Sequence, residues 1–196
     1  MSARRASFER ETKETSVEVV VDLEDNEFNI STGIPFFTHM LEQLAKHSGI
    51  GIHISSTGDL EVDAHHTVED VGIALGKTFH EALGEKVGIR RFASVRVPLD
   101  EALVEVALDI SGRAFCHYEI DFPGEKILGE PPFDPQLVEE FWRAFAGGAQ
   151  VTLHIALVRG KNTHHIVEAA FKGVARAIRD AIRIEGQELP STKGIL

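Results

Sequence analysis

Hydrophobic and polar positions follow two different periods along this chain, and each period predicts a different kind of element. Residues 16–23 (SVEVVVDL) alternate apolar and polar side chains, as in a half-buried strand, and we expect residues 27–31 to pair with it across the turn at 24–26. Five more strands are predicted, at 51–56, 92–99, 103–110, 114–120 and 151–158. Apolar residues at helical spacing predict helices at 35–46, 65–83, 136–146 and 163–184. Strands followed by helices in each half indicate an α+β fold.

The chain also repeats itself, with an offset of 99 residues between His65 and His164. HHTVEDVGIALG and HHIVEAAFKGVA both begin His-His-x-Val-Glu, and each follows a helix, a glycine break and a strand. We therefore expect one domain, made of two pseudo-symmetric halves at about 8–88 and 89–186 and followed by a polar tail at 187–196. Mainly antiparallel sheets, each with two helices on one side, would bury the helix pairs between them.

Composition and charge narrow the class of protein. The 196 residues are 43% hydrophobic and carry a formal charge of −11, which suits a globular domain and argues against a broad nucleic-acid surface. The single cysteine, Cys116, excludes a disulfide framework and fits a reducing compartment. No apolar run approaches the roughly 18–20 residues that cross a bilayer. The basic residues near the N-terminus are not followed by the apolar segment of a secretory signal, so we do not expect one. We expect a cytoplasmic protein with neither a nucleic-acid nor a membrane partner.

The repeated His-His-x-x-Glu segment has the composition of a metal site at the start of a helix. Residues four apart share a helix face, so that His65 and Glu69 can bind the same ion, whereas His66 points about 100° away and would more naturally serve another. The second copy consists of His164, His165 and Glu168. Imidazole and carboxylate ligands suit Mn²⁺, Fe²⁺, Co²⁺ or Zn²⁺. Solvated histidines at a helix N-terminus are the alternative, but two copies at matching positions favour the metal site.

The repeat also supplies candidates for the remaining ligands. His39, near the start of the helix before the first doublet, has Glu140 as its counterpart in the second half. We expect two pseudo-symmetric sets, one made of His39, His66, His164 and Glu168, and the other of His65, Glu69, Glu140 and His165. An exposed helix glutamate is the alternative for Glu140. The other histidines are expected on the surface or hydrogen-bonded in the core, with His154 facing inward from a strand: His47, His53, His80, His117 and His154.

Five stretches together resemble the imidazoleglycerol-phosphate dehydratase family of histidine biosynthesis: PFFTHMLEQLAKHSG, DAHHTVEDVGIALG, PLDEALVEVALDISGR, GKNTHHIVEAAFKGVARAI and PSTKG. The resemblance covers residues 10–194. It implies a duplicated unit of a four-stranded sheet and two helices. It also implies a homo-oligomer of 24 subunits, with active sites at subunit interfaces, two Mn²⁺ ions in each site (other divalent ions being possible) and a small phosphate substrate.

The resemblance assigns roles to individual positions. Its metal ligands fall on His39, His65, His66, Glu69, Glu140, His164, His165 and Glu168, where Glu140 departs from the histidine of plant and mycobacterial members. Glu14 matches a glutamate that contacts the substrate, and we expect it to act as the acid or base, with Glu69 and Glu168 as further candidates for proton transfer. Contacts to the substrate phosphate fall on Arg91, Arg113, Lys172, Ser191, Thr192 and Lys193. Taken singly, Glu14 and these basic residues would be read as surface charges.

The reaction implied by the resemblance is the loss of water from D-erythro-imidazole glycerol phosphate, which gives imidazole acetol phosphate. The carbon proton to be removed is not next to a carbonyl. Two cations at the ring nitrogens would therefore stabilise an imidazolate, whose electrons expel the adjacent hydroxyl through a diazafulvene-like intermediate. Two rival functions would use a similar site, namely a dinuclear metal hydrolase with a bridging water and a non-enzymatic shell that stores metal ions.

Overall fold

The computed structural model describes residues 4–123 and 127–196. Within them, two halves follow the same order of three strands, a helix, a strand and a helix. The first half contains β1 (Arg5–Glu11), β2 (Thr15–Asp22), β3 (Phe28–Ser31), α1 (Pro35–Ser48), β4 (Gly51–Gly58) and α2 (His65–Leu83). The second contains β5 (Phe92–Leu99), β6 (Ala102–Asp109), β7 (Phe115–Glu119), α3 (Leu137–Ala149), β8 (Thr152–Arg159) and α4 (Thr163–Ala181). None of the helices described is long and apolar enough to cross a membrane.

Each half builds one four-stranded sheet, in the orders β1-β2-β4-β3 and β5-β6-β8-β7. The first three strands of each sheet are antiparallel, and the last strand runs parallel to its neighbour. The duplicated α+β fold is therefore confirmed. The expected pairing of residues 27–31 with β2 is wrong, because β1 occupies one edge of β2 and β4 the other. Strand β3 pairs instead with the free edge of β4, which it reaches through α1.

The helices lie between the two sheets, as expected. Helix α2 packs on β1 and β2, helix α4 packs on β5 and β6, and the helix pairs α2–α3 and α1–α4 join the halves. Alternate valines of β2 and β6 face this layer and are buried. The centre is aromatic, with Phe141, Trp142 and Phe171 fully buried and their rings 4.7–5.4 Å apart between centroids. Because the helices are packed between the two sheets, the positions of their N-termini are fixed by this layer.

Helices α2 and α3 approach each other to backbone contact. A Cβ atom on Gly76 would lie 2.8 Å from the Ala149 nitrogen, and one on Gly148 would lie 2.7 Å from the Ile73 oxygen. Only glycine leaves room for such a crossing. The close approach brings Glu69 of α2 and Glu140 of α3 to the two walls of one groove.

Helix α4 has a defined start and end, and both bear on the candidate site. The Asn162 side chain accepts hydrogen bonds from the backbone N–H groups of His164 and His165, which caps the helix where the second doublet begins. The helix stops at Ala181 rather than at residue 184, because residues 183–184 leave it to hydrogen-bond with the segment before β5.

Candidate functional site

Three predicted ligands meet where α1 runs beside α4. Glu168 Oε2 lies 3.0 Å from His164 Nε2 and 3.8 Å from His39 Nε2. One ligand atom from each of these three residues lies within 4.8 Å of the others, and in the described part of the chain no other group of three does so. Two imidazoles and a carboxylate fit Mn²⁺ and the neighbouring divalent transition metals.

The electrostatics of this cluster keep Glu168 ionised. Although burial alone would raise its pKa, the pKa of Glu168 is lowered, because Lys172 and His164 hydrogen-bond to the carboxylate and the Lys172 charge is close. Lys172 Nζ lies 2.6 Å from Oε1. One oxygen of Glu168 therefore faces the histidines, and the other faces the lysine that family resemblance assigns to the phosphate.

The residues of the other predicted ligand set are spread over α2, α3 and α4. His65 and Glu69 lie on the first turns of α2, and Glu140 lies on the first turn of α3. Glu69 and Glu140 line the same groove, together with Lys77 and Arg143. Glu140 therefore faces α2 across this groove, and its role as a metal ligand stays a prediction.

The second histidine of each doublet contacts a carboxylate outside both predicted ligand sets. His66 Nδ1 lies 3.0 and 3.1 Å from the two Asp59 oxygens, and His165 Nδ1 lies 2.7 Å from Glu101 Oε2. The pKa of each histidine is raised, chiefly by that hydrogen bond. The pKa of Glu101 falls to about 2, because His165 and then two backbone N–H groups, those of residues 162 and 161, donate to it. Neither His66 nor His165 belongs to the three-residue cluster of its own chain.

Glu14 lies at the β1–β2 turn with an exposed carboxylate, 3.9 Å from His66 Nδ1. The turn is held by hydrogen bonds to α2 and by hydrogen bonds within the turn itself. Arg10 Nε donates to the nearly buried Asp70 of α2 at 2.7 Å, and the Thr15 hydroxyl donates to the other oxygen of Asp70. The backbone N–H groups of Glu14 and Thr15 both donate to Thr12 Oγ1. These contacts hold the hairpin against α2 and bring Glu14 to the first histidine doublet.

Five of the six candidate phosphate-binding residues form a second group, whereas Lys172 lies beside Glu168. Arg91 donates from Nε to Asp109 at 2.7 Å and from Nη1 to the Pro190 carbonyl at 2.7 Å, while an Arg113 nitrogen lies 4.0 Å from the same aspartate. The Pro190 contact brings the tail, with Ser191, Thr192 and Lys193 directly after it, beside the two arginines. In Ser191 the hydroxyl accepts from the Lys193 backbone N–H, which closes a turn.

The two groups lie at opposite ends of α4. The backbone N–H of Arg91 donates to the Ala181 carbonyl at the last residue of the helix, whereas Glu168 lies in its second turn. Thirteen steps of 1.5 Å separate Glu168 from Ala181, so the two groups lie about 20 Å apart along the helix. The cluster of His39, His164 and Glu168 is therefore far from Arg91 within one chain.

Several residues around the site lack a signal in the sequence. Asp59, Glu101, Asp70 and Asp109 are acidic loop, strand or helix positions whose partners become neighbours only on folding. The sequence offers no motif for His47, whose pKa is lowered by burial and by the nearby charges of Lys172 and Arg176.

The expectation for His154 is wrong. Its side chain is exposed on the outer face of the second sheet, with ring centroids 5.6 Å from Phe115 and 5.4 Å from His117. The alternation of β8 places residues 153 and 155 inward, and so residue 154 outward.

Comparison with known proteins gives one consistent result. Residues 32–178 match the family model for imidazoleglycerol-phosphate dehydratase. The imidazoleglycerol-phosphate dehydratases of Rhodopseudomonas palustris and Oceanobacillus iheyensis are each 53% identical to the chain, over 98% of it and over 98% and 100% of their own lengths.

Solved structures agree with these relatives. The imidazoleglycerol-phosphate dehydratase of Staphylococcus aureus has a TM-score of 0.82 at 36% identity, over 92% of this chain and 99% of its own. The Pyrococcus furiosus enzyme has a TM-score of 0.83 at 38% identity, over 96% and 100%. The expected resemblance is thus confirmed over nearly the full length, and the chain belongs to the imidazoleglycerol-phosphate dehydratase family, whose members are hydro-lyases.

Proposed function

We propose that the chain dehydrates D-erythro-imidazole glycerol phosphate to imidazole acetol phosphate in histidine biosynthesis, with two Mn²⁺ ions in each active site. The observation that carries this proposal is the convergence of His39, His164 and Glu168 on one point, in a chain of this family. The eight ligands that we propose are His39, His65, His66, Glu69, Glu140, His164, His165 and Glu168. The donor set fits the metal, because imidazole nitrogen and carboxylate oxygen are both ligands that Mn²⁺ accepts.

Bound cations would supply positive charge next to the imidazole ring, which makes an anionic ring accessible. The chain's own residues then carry the protons. Glu14 is exposed and lies 3.9 Å from His66, so it can take the carbon proton beside the metal-binding face. The C–O bond breaks as the hydroxyl takes a proton from Glu14 and leaves as water, so that the proton removed from carbon is balanced by the one given up. The resulting enol becomes the ketone. Glu69 and Glu168 are less suited to proton transfer, because a carboxylate that binds a metal is a weaker base.

We further propose that each active site is built from more than one chain of a 24-subunit assembly. The support is the distance of about 20 Å along α4 between the metal-ligating end and Arg91. A small substrate that needs both groups must take them from different subunits. Arg91, Arg113, Lys172 and the tail residues Ser191, Thr192 and Lys193 would bind the phosphate.

For the enzyme's location we propose the cytoplasm, in keeping with the free Cys116 and with a biosynthetic family.

The test is an assay of metal-stripped and Mn²⁺-loaded protein on imidazole glycerol phosphate and on a panel of phosphate esters. We expect water loss from the first compound only, and only with metal. Glu14→Gln should assemble as the unchanged protein does and lose at least about 100-fold in turnover. Glu105→Gln, a matched change on the exposed face of the second sheet, should keep full turnover. Phosphate release from the esters would favour a hydrolase, and metal binding without turnover would favour a storage protein.

A further inference from the structure

The second histidine of each doublet is held by its Nδ1 atom, and this decides which nitrogen remains available. His66 Nδ1 faces Asp59 at 3.0 Å, and His165 Nδ1 faces Glu101 at 2.7 Å. An ionised carboxylate can only accept a hydrogen bond, so Nδ1 must be the protonated nitrogen in both rings. The lone pair of each neutral ring then lies on Nε2. In His165, this nitrogen lies 3.9 Å from the exposed Asp100 carboxylate, beyond hydrogen-bonding distance.

The two carboxylates do not occupy equivalent positions in the two halves. Val20 pairs with His53 in the first sheet, and Ala107 pairs with His154 in the second. Counting back six residues from Val20 along β2 and from Ala107 along β6 reaches Glu14 and Glu101 respectively. Glu14 is therefore the structural counterpart of Glu101, although its carboxylate is 3.9 Å from its histidine and that of Glu101 is 2.7 Å away.

In the first half, Asp59 takes the role that Glu101 has in the second. Asp59 follows β4 directly. Its counterpart after β8, allowing for the extra residue of the bulge opposite β6, is Lys161. A lysine side chain cannot accept a hydrogen bond from a histidine. Lys161 contributes only its backbone N–H, which donates to Glu101 Oε1 at 3.1 Å, and the N–H of Asn162 donates to the same oxygen at 2.7 Å.

We propose that Asp59 and Glu101 are positioning residues that fix the Nδ1–H tautomer of His66 and His165 and aim each Nε2 at a divalent cation. Because Asp59 performs this task in the first half, Glu14 is released from it and is free to transfer protons. Glu101 has no such freedom, since both of its oxygens accept hydrogen bonds. The duplicated hairpin has thus diverged into one proton-transfer residue and one positioning residue. This inference rests on the metal site of the proposed function.

The test is calorimetric titration of the metal-stripped full chain with MnCl₂, with free Mn²⁺ followed by electron paramagnetic resonance. Loss of a carboxylate that orients a metal-binding histidine weakens metal affinity by about 10–100-fold. Glu101→Gln and Asp59→Asn should each weaken binding of part of the Mn²⁺ by such a factor, with a larger loss in the alanine variants, which cannot accept a hydrogen bond. Glu14→Gln, at the position equivalent to Glu101, should leave Mn²⁺ affinity within about twofold of the unchanged protein. Glu105→Gln, on the same hairpin as Glu101, is the control.

A purely structural role predicts a different result. It would lower the melting temperature of the metal-free protein and weaken all Mn²⁺ binding together, and that outcome would overturn the inference. Unchanged Mn²⁺ affinity in both Glu101→Gln and Glu101→Ala, with the unchanged protein binding two ions per chain, would overturn the inference and leave the proposed function intact. If the unchanged protein binds no Mn²⁺ at all, the proposed function fails, and the inference fails with it.

Discussion

The close crossing of α2 and α3 predicts that one added methyl group at Gly76 will damage both stability and metal binding. An alanine Cβ there would lie 2.8 Å from the Ala149 nitrogen and 3.0 Å from the Gly148 Cα, and in harder contact with the Phe145 carbonyl oxygen. All three are backbone atoms, so no side chain can rotate away. Relief requires the helices to separate by about 1 Å, since such atoms normally stay about 3.5–4 Å apart.

The expected cost follows from two opposing terms. Overpacking of this kind costs about 1–3 kcal/mol, and the upper part of that range applies because backbone atoms clash. Alanine gains about 1 kcal/mol over glycine in a helix interior. We therefore expect Gly76→Ala to destabilise the chain by about 2 kcal/mol, which lowers the melting temperature by about 4–8 °C for a chain of this size.

Gly147→Ala is the matched control, because it lies on α3 and an added Cβ would meet nothing within 4 Å. It should raise the melting temperature by about 2–4 °C through helix propensity alone. Differential scanning calorimetry of both variants, metal-free and at equal protein concentration, gives the comparison. Because the crossing brings Glu69 and Glu140 to one groove, Gly76→Ala should also weaken Mn²⁺ binding. Equal melting temperatures for Gly76→Ala and Gly147→Ala would refute the reasoning.

Three further predictions concern single contacts. Asp70→Asn should lower stability by about 2 kcal/mol and also lower turnover, because it leaves Arg10 and Thr15 poorly paired and loosens the hairpin that carries Glu14; melting curves and turnover rates measure both effects. Asn162→Ala should cost about 1 kcal/mol, seen as a melting temperature about 2–4 °C lower, because the cap of α4 is lost. Burial raises the pKa of Cys116 from 9.0 to about 11, so that its thiolate fraction at about pH 8, and its rate of alkylation by iodoacetamide, should be roughly a hundredfold below those of a free thiol.

Each of these predictions has an outcome that contradicts it. Unchanged turnover in a destabilised Asp70→Asn variant would show that the hairpin contacts to Asp70 do not position Glu14. The control for Asn162→Ala is Asn26→Ala, a change in an exposed loop. If the melting temperature of Asn162→Ala is no lower than that of this control, the cap does not stabilise α4. Alkylation of Cys116 as fast as that of free cysteine at the same pH would mean that the thiol is open to solvent.

Most strands and helices could be predicted from the sequence, because most of them bury one face and expose the other to solvent. Strand β1 escaped detection because its inward positions are Ala6, Phe8 and Arg10, and the charge of Arg10 interrupts the apolar alternation. That charge is stable inside because Asp70 of α2 neutralises it, a contact sixty residues away in sequence. The wrong pairing of β3 has a similar origin, since local pattern does not say which sheet edges are already occupied.

The repeat was equally informative for part of the site. It located both histidine doublets, and with them Glu168 and its neighbour His39, because duplicated chemistry leaves a duplicated string. It could not find Asp59 or Glu101, because the carboxylates that contact the second histidine of each doublet lie at inequivalent positions in the two halves. Neither could it show that Arg91 lies at the far end of α4, since that separation depends on how the segment after Ala181 turns back.

The placement of chemically different groups at the two ends of α4 has a genetic consequence. Under the proposed assembly, a chain with a damaged His164 still carries a sound Arg91 end, and a chain with a damaged Arg91 still carries a sound histidine end. When two such chains assemble together, some active sites combine the intact histidine end of one chain with the intact Arg91 end of the other. Two alleles that are each inactive alone should therefore restore growth in combination, whereas two alleles that both damage the histidine end should not.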